Sequence, residues 1–353
     1  MARATIEGVT VRGVVCAVPG EPVSVYESGR AFAAADIDQV AKTVGLRETY
    51  RAAPGQTAGD LCLAAAEALL ADLGWERDSV DGLILVTQNP DHFSPATACI
   101  VHGKLGLPDR CVAFDVGMGC SGYVYGLWMA AQFVAAGTCK RLLLLAGDTP
   151  SHAISPEDKS VAMLFGDAGS ATALEADADA PAMAFVLGTD GTGAQNLVIP
   201  AGGFRQRPHP SHHERVACED GSRRSPFELQ MDGLAVFNFT LKRVPALVRD
   251  TLAQAGWGPD DADAYLFHQA NGFILGKIAK KLGIDPERVP VNIDRYGNTS
   301  MASVPLLLVD DVAERVRAPA GARLLMAGFG VGYSWAGAAV TLAGLGSARL
   351  VRV

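Results

Sequence analysis

A constant offset of 182 residues relates three separate segments of this 353-residue chain, and that spacing limits the fold more than any single motif does. Leu73-Gly74-Trp75 precedes Asp81-Gly82-Leu83-Ile84-Leu85-Val86, and Ala255-Gly256-Trp257 precedes Asp263-Ala264-Tyr265-Leu266-Phe267-His268. The offset carries Trp75 onto Trp257, Asp81 onto Asp263 and Arg141-Leu142-Leu143 onto Arg323-Leu324-Leu325. Both copies read as helix end, turn and strand, so the chain consists of two copies of one α/β unit. They meet near residues 177–184, where Asp177-Ala178-Asp179-Ala180-Pro181 interrupts the pattern, giving halves at residues 1–180 and 181–353.

In the first copy, Gly59 to Leu73 has amphipathic helical spacing, Leu83 to Thr87 is an apolar strand and Pro95 to Leu105 a second helix. Val112 to Val116 reads as a strand, Cys120 to Ala136 as a helix, Leu142 to Ala146 as a strand and Val161 to Leu174 as a glycine-interrupted strand pair. The helix from Cys120 is rich in Gly and Ala and nearly free of charge. It requires burial on most sides, hence several layers of structure around it.

Hydrophobic residues make up 49% of the chain, enough for a large core, yet no run approaches the ~20 apolar residues of a membrane span. A net charge of −8 without long like-charge blocks argues against duplex nucleic acid as a partner. The seven cysteines are irregularly spaced and no signal-like apolar run follows Met1. Reduced thiols in the cytoplasm are therefore expected, not a disulfide framework.

Cys120 stands in Phe114-Asp115-Val116-Gly117-Met118-Gly119-Cys120-Ser121-Gly122, where a short strand meets glycines and a small-residue helix. A thiol at a helix N-terminus faces unpaired N–H groups and the positive end of the dipole, which lower its pKa and favour thiolate. The same residue also reads as a small buried apolar cysteine. The offset places Cys120 on Ala302, so one half alone carries the nucleophile, and it places Val86 on His268 in Leu266-Phe267-His268-Gln269-Ala270-Asn271. A histidine ending an apolar strand is either structural or chemical. Asn298, in Asp294-Arg295-Tyr296-Gly297-Asn298-Thr299-Ser300 at the mouth of the helix that mirrors the Cys120 helix, is either a cap or a functional amide.

Gly119-Cys120-Ser121-Gly122, His268-Gln269-Ala270-Asn271 and Gly297-Asn298-Thr299-Ser300, in this order on a duplicated α/β scaffold, resemble the thiolase superfamily, most closely the β-ketoacyl-acyl-carrier-protein synthase III family. The resemblance runs from about Thr57 to Leu342 and includes Phe165-Gly166-Asp167-Ala168-Gly169 and Gly328-Phe329-Gly330-Val331-Gly332-Tyr333-Ser334-Trp335. It implies a five-layer αβαβα thiolase fold, a homodimer, and Cys120, His268 and Asn298 as catalytic residues. Cys120 would accept an acyl group from a thioester, an exchange nearly neutral in energy. The backbone N–H groups of Cys120 and Val331 would form the oxyanion hole. Nε2 of His268 and the Asn298 amide would hydrogen-bond the enolate left when malonyl thioester on acyl-carrier protein loses carbon dioxide. The implied reaction is a decarboxylative Claisen condensation serving fatty-acid or specialised acyl-chain biosynthesis, with no metal or bound redox cofactor.

Two alternatives remain. In one, acyl passes from Cys120 to a hydroxyl or amine, which gives Asn298 no enolate to stabilise. In the other, the chain is a non-catalytic partner subunit of a condensing heterodimer, against which the intact Cys, His and Asn argue. Gly328-Phe329-Gly330-Val331-Gly332 superficially resembles a dinucleotide fingerprint, but the strand-like Ala338-Ala339-Val340-Thr341-Leu342 follows where a helix is needed.

The chain also departs from the family pattern. Gln39 and Thr43 stand where an aromatic residue and an arginine grip coenzyme A, and His152 where a further arginine does, so weak coenzyme A binding and an acyl-carrier-protein donor are expected. Carrier-protein docking is expected on the helix after His268, through Gln269, Phe273, Lys277, Lys280 and Lys281, with Phe273 replacing a frequent arginine. Phe93 and Ser94 are expected at the acyl pocket; Ser94 replaces a phenylalanine that in some relatives closes the pocket across the dimer. Residues 202–229, with Arg205, Arg207, Arg215, Arg223 and Arg224, are expected to form a lid or tunnel entrance. His209, His212, His213 and Cys218 in that stretch match no standard zinc spacing.

Overall fold

Alternation within single strands explains the layering. In Arg141–Asp148, Leu142, Leu144 and Ala146 enter one buried cluster while Leu143 and Leu145 enter another. Ala322–Gly330 repeats the arrangement, with Leu324 and Met326 in the first of these clusters and Leu325, Ala327 and Phe329 in a third. Successive side chains of a strand point to opposite faces, so a strand apolar at every position must be covered on both.

The computed structural model describes residues 1–353 and meets that demand with two main sheets. The first runs in the order Ser347–Arg352, Val9–Val18, Ala168–Ala176, Arg141–Asp148, Gly82–Val86, Val112–Val116. The second runs Ala2–Ile6, Met183–Thr189, Ser334–Leu342, Ala322–Gly330, Ala264–Phe267. Each contains the same sequence of pairings, two antiparallel and then one parallel, which is the duplication seen as topology. The chain ends cross over: the first strand joins the second sheet, and the last strand joins the first.

Helices Gly122–Ala135 and Ser303–Asp311 lie between the sheets in the 46-residue central cluster. Ala58–Leu73 and Thr97–Leu105 cover the outer face of the first sheet, and Gly233–Ala255 and Gly272–Leu282 that of the second. This is the five-layer αβαβα thiolase fold. Contacts between helix and sheet are close where glycine allows it: a Cβ on Gly126 would stand 2.7 Å from Leu144 Cδ1, and one on Gly169 would stand 2.6 Å from the Cys62 backbone nitrogen. The helix over Gly169 starts at Thr57, whose hydroxyl and the Asp60 carboxylate form a reciprocal capping box.

Two elements differ from expectation. Val161 to Leu174 is not a strand pair. Only Ala168–Ala176 is a strand, because the backbone before it bonds across to the other half: Asn298 N–H donates to Leu164 O at 2.8 Å and Gly166 N–H to Asn298 O at 3.1 Å. The second sheet also lacks a counterpart of Val112–Val116. By the offset that place falls on Asp294 to Asn298, where Ile293–Tyr296 is a single helical turn. Asn298 is thereby drawn toward the first half.

Candidate active site

Cys120 lies two residues before the first residue of the central helix and is 6% exposed. The glycine-rich loop after Ala322–Gly330 closes over it. A Cβ on Gly330 would sit 2.9 Å from Cys120 Sγ, and one on Gly119 would meet Val331 Cγ1, so both positions need glycine for the loop to approach. The Ser334 hydroxyl donates to Val331 O at 2.8 Å and lies 2.7 Å from Ser121 Oγ, pinning the loop to the Cys120 segment. The backbone N–H groups of Val331 and Cys120 both face the sulfur.

The expected lowering of the Cys120 pKa is not what this environment produces. Burial pushes the thiol up to about 11, with the Asp148 carboxylate adding to it, against the opposing hydrogen bonds from Ser300, Val331 and Cys120. Removal of a charge from water outweighs the partial charges at the helix end. Cys120 therefore rests as a neutral thiol.

His268 follows the strand Ala264–Phe267, its N–H donating to Ala327 O at 2.8 Å. Nδ1 lies 3.0 Å from Ser300 O and 2.8 Å from Ser303 Oγ, and the ring meets Phe329 edge-on. Since a carbonyl oxygen only accepts, Nδ1 carries the ring hydrogen and Nε2 the lone pair. Neutral His268 is thus an acceptor at Nε2, and the donor role expected for that atom requires that it first take up a proton. Burial lowers its pKa to about 4.

Asn298 accepts the Ser300 N–H at 3.0 Å through Oδ1, which leaves its amide nitrogen to donate to a ligand. Ser300 is the junction of the site. Its C=O takes the His268 hydrogen, its N–H holds Asn298, and its hydroxyl lies 4.0 Å from Cys120 Sγ. It is also the one non-glycine residue with positive φ, at 51°. Gln88 Nε2 donates to Asp148 Oδ2 at 3.1 Å and to Ser300 Oγ at 3.4 Å. Sequence reasoning missed Ser300, Ser303, Gln88 and Asp148. The available signal was polarity at the end of apolar strands, which marks Gln88 and Asp148 as it marks His268.

A cavity of about 290 Å³ opens on Cys120, Ser300 and Val331, with Phe165, Leu197, Val198, Ile199 and Leu229 as apolar walls. Phe93 and Ser94 stand outside it in a single copy of the chain. They line an adjoining open depression with Gln88, Asp115 and Gly117, and Phe93 is 79% exposed. Gln269 is fully buried, and both ends of its amide are used internally, toward Phe267 O at 2.9 Å and Asn292 N–H at 3.1 Å. It is accordingly removed from the expected docking surface. Phe273, Lys277, Lys280 and Lys281 do share the exposed side of Gly272–Leu282, with Lys277 Nζ 5.0 Å from the Phe273 ring centroid and Lys281 Nζ donating to Leu241 O at 2.8 Å.

Gln39 and Thr43 are exposed on the helix Ala34–Val44, and the His152 ring lies 3.3 Å from Ala52 O. In 202–229, Arg215, Arg223 and Arg224 are paired with Glu157, Glu228 and Asp158, the Arg224 to Asp158 contact being 3.0 Å with Asp158 fully buried. These arginines hold the stretch down and are not open cationic groups. No three His, Cys, Asp or Glu side chains converge as a metal site would require. No helix is long and apolar enough to cross a membrane.

Comparison with known proteins follows the same two halves. Residues 114–191 match the family described as 3-oxoacyl-[acyl-carrier-protein (ACP)] synthase III, and residues 252–342 match its C-terminal counterpart. A β-ketoacyl-[acyl-carrier-protein] synthase III from Rhodopirellula baltica is 34% identical, with 94% of this chain and 97% of that protein aligned. A β-ketoacyl-[acyl-carrier-protein] synthase III 2 from Streptomyces coelicolor is 37% identical over 97% and 96% of the two chains. Among solved structures, a 3-oxoacyl-(acyl-carrier protein) synthase from Burkholderia xenovorans superposes with a TM-score of 0.94 at 44% identity, covering 100% of this chain and 99% of that one.

The lowered His268 pKa predicts acid sensitivity. Between about pH 6.5 and about 4 the unfolded chain binds a proton at this residue that the folded chain refuses, so stability falls as pH falls through that window, by at most about 3 kcal/mol. His268→Gln removes this part of the slope. Urea unfolding at pH 7, 5.5 and 4.5 should show the variant losing less stability than wild type; identical slopes would mean that His268 titrates normally in the folded chain.

Proposed function

The chain belongs to the β-ketoacyl-acyl-carrier-protein synthase III family, and from that premise we propose how its own residues carry the family reaction, condensation of an acyl thioester with malonyl-acyl-carrier protein. The observation that supports the assignment most directly is the convergence of Cys120, His268 and Asn298 on one residue, Ser300. Cys120 is the acyl acceptor. Its sulfur bonds to the acyl carbon of the donor, and the thiol proton passes to the departing thiolate, with the Nε2 lone pair of His268 as the intermediate acceptor. The N–H groups of Cys120 and Val331 stabilise the oxyanion of that step.

In the second step malonyl thioester loses carbon dioxide and the resulting enolate carbon attacks the acyl-Cys120 carbonyl. The amide nitrogen of Asn298, left free because Oδ1 holds Ser300, donates to the enolate oxygen. His268 joins it after taking up one proton, which the incoming malonyl carboxylate favours by its charge. Carbon–carbon bond formation expels Cys120 as thiolate, and the His268 proton restores the thiol. One proton is consumed per turnover, as the overall reaction requires.

The apolar cavity beside Cys120 suits an acyl chain. Strand Val112–Val116 has no partner on its outer edge, and Phe114, Val116, Trp128, Met129 and Phe133 beside it are only partly buried. A homodimer paired along this edge covers that surface, and it gives Phe93 and Ser94, which adjoin it, a route to the partner's acyl cavity. Acyl-carrier protein docks on Phe273, Lys277, Lys280 and Lys281. All seven cysteines are free, which supports a reducing compartment such as the cytoplasm.

Incubation with a competent donor should add one acyl mass to the Cys120 peptide, and Cys120→Ser should abolish condensation. His268→Ala and Asn298→Ala should slow carbon dioxide release by ~10²-fold or more if each contributes as an oxyanion-hole donor does. Acyl mass on another cysteine, or normal decarboxylation in both variants, would overturn these roles. Charge reversal at Lys277, Lys280 and Lys281 should slow loading from acyl-carrier protein, less so at raised salt, and leave loading from acyl-pantetheine unchanged; equal loss with both donors would remove the docking site. Phe133→Glu should convert a dimer to a monomer in sedimentation, and a monomeric wild type would dispose of the dimer.

A further inference from the structure

Buried Asp148 ends an apolar strand and is held by three donors: the Thr87 hydroxyl at 3.0 Å and the Gln88 N–H at 2.8 Å on Oδ1, and Gln88 Nε2 at 3.1 Å on Oδ2. A carboxylate only accepts, so the Gln88 amide must turn its nitrogen toward it. The second hydrogen of that nitrogen then faces Ser300 Oγ at 3.4 Å, while the amide oxygen lies against Gly119, where a Cβ would come within 2.7 Å of it. With one lone pair of Ser300 engaged by Gln88, the serine's own hydrogen is left for an acceptor, and Cys120 Sγ is 4.0 Å away. The competing acceptor is the Asp148 carboxylate, which the same hydroxyl also faces.

We propose that Ser300 is a catalytic hydroxyl that hydrogen-bonds the Cys120 sulfur as it becomes thiolate, and that Gln88, braced by Asp148, is the positioning residue that aims it. A hydroxyl aimed at sulfur matters more here than in an open site, because burial and the Asp148 charge both oppose the thiolate. Gln88 has a second effect. Its amide already donates to Asp148 Oδ2, so it competes with the Ser300 hydroxyl for that carboxylate and favours the turn of the hydroxyl to Cys120. Asp148 is the charged group bearing on Cys120, and His268 is the titratable neighbour that shares Ser300 with it. The proposal rests on Cys120 as the acyl acceptor but is tested without substrate.

The experiment measures the rate of Cys120 alkylation by iodoacetamide from pH 6 to 10, by peptide mass spectrometry, in wild type, Ser300→Ala, Gln88→Leu and the double variant. Exposed Cys99 serves as the reference in each sample, and buried Cys16 and Cys62 report any opening of the fold. Each single variant should slow Cys120 about tenfold at a given pH, equivalent to a rise of one pKa unit, and the double variant should be no slower than Ser300→Ala. If Ser300→Ala exposes Cys16 or Cys62, Ser300→Gly, which suits the positive φ, takes its place with the same expected outcome. A Cys120 profile that coincides with wild type, or single effects that multiply in the double variant, would overturn the proposal. Failure of acyl loading at Cys120 with these alkylation shifts intact would instead count against the reading of Cys120 as acyl acceptor.

Discussion

Everything in this chain depends on two sheets closing on the same pair of helices. Gly122–Ala135 carries no charge and Ser303–Asp311 only the two aspartates at its end, and the strands on either side are apolar on both faces. Once the sheets pack on them, the loops at the strand ends are brought together from opposite halves. The segment before the central helix, the loop after Ala322–Gly330 and the turn at Gly297 meet there because the layers leave them no other position. Glycines at 126, 330 and 119 set how closely they approach.

The same closure determines the electrostatics of the site. A thiol with a pKa near 11 and an imidazole with one near 4 form a neutral pair at rest. That is the state a dry cavity favours, since either charge would lose its hydration. Within that pair charge arises only when a substrate supplies it, as the malonyl carboxylate does in the proposed second step, while the carboxylate of Asp148 is held apart by its own hydrogen-bond donors. The fixed donors are then already in place: two backbone N–H groups, the Asn298 amide and the Ser300 hydroxyl need no reorganisation to meet it.

Ion pairing at the surface follows a separate logic. Three of the five arginines of 202–229, Arg215, Arg223 and Arg224, are neutralised by carboxylates of the chain itself and pin that stretch near the cavity walls Ile199 and Leu229. On Gly272–Leu282, Lys277 and Lys280 have no acidic partner. In the proposed docking a carrier protein would meet unpaired charge there, whereas Arg215, Arg223 and Arg224 offer it little.

The amino-acid sequence by itself determined the duplication and most of the strand and helix order, Val161 to Leu174 and Asp294 to Asn298 excepted, while Cys120, His268 and Asn298 were singled out by the family resemblance of their motifs. Periodicity reports directly which faces are buried. Element ends were legible to within two residues at Ala58–Leu73, Thr97–Leu105 and Gly122–Ala135. Tertiary structure alone decided the rest. Ser300 and Cys120 are 180 residues apart in sequence, and Gln88 and Ser300 are 212 apart, so no local pattern could join them. Gln269 looked like a surface residue until packing enclosed both ends of its amide. The direction of the Cys120 pKa shift was misjudged for the same reason: a helix end is visible in sequence, but the loss of water around a sulfur depends on which distant segments close over it.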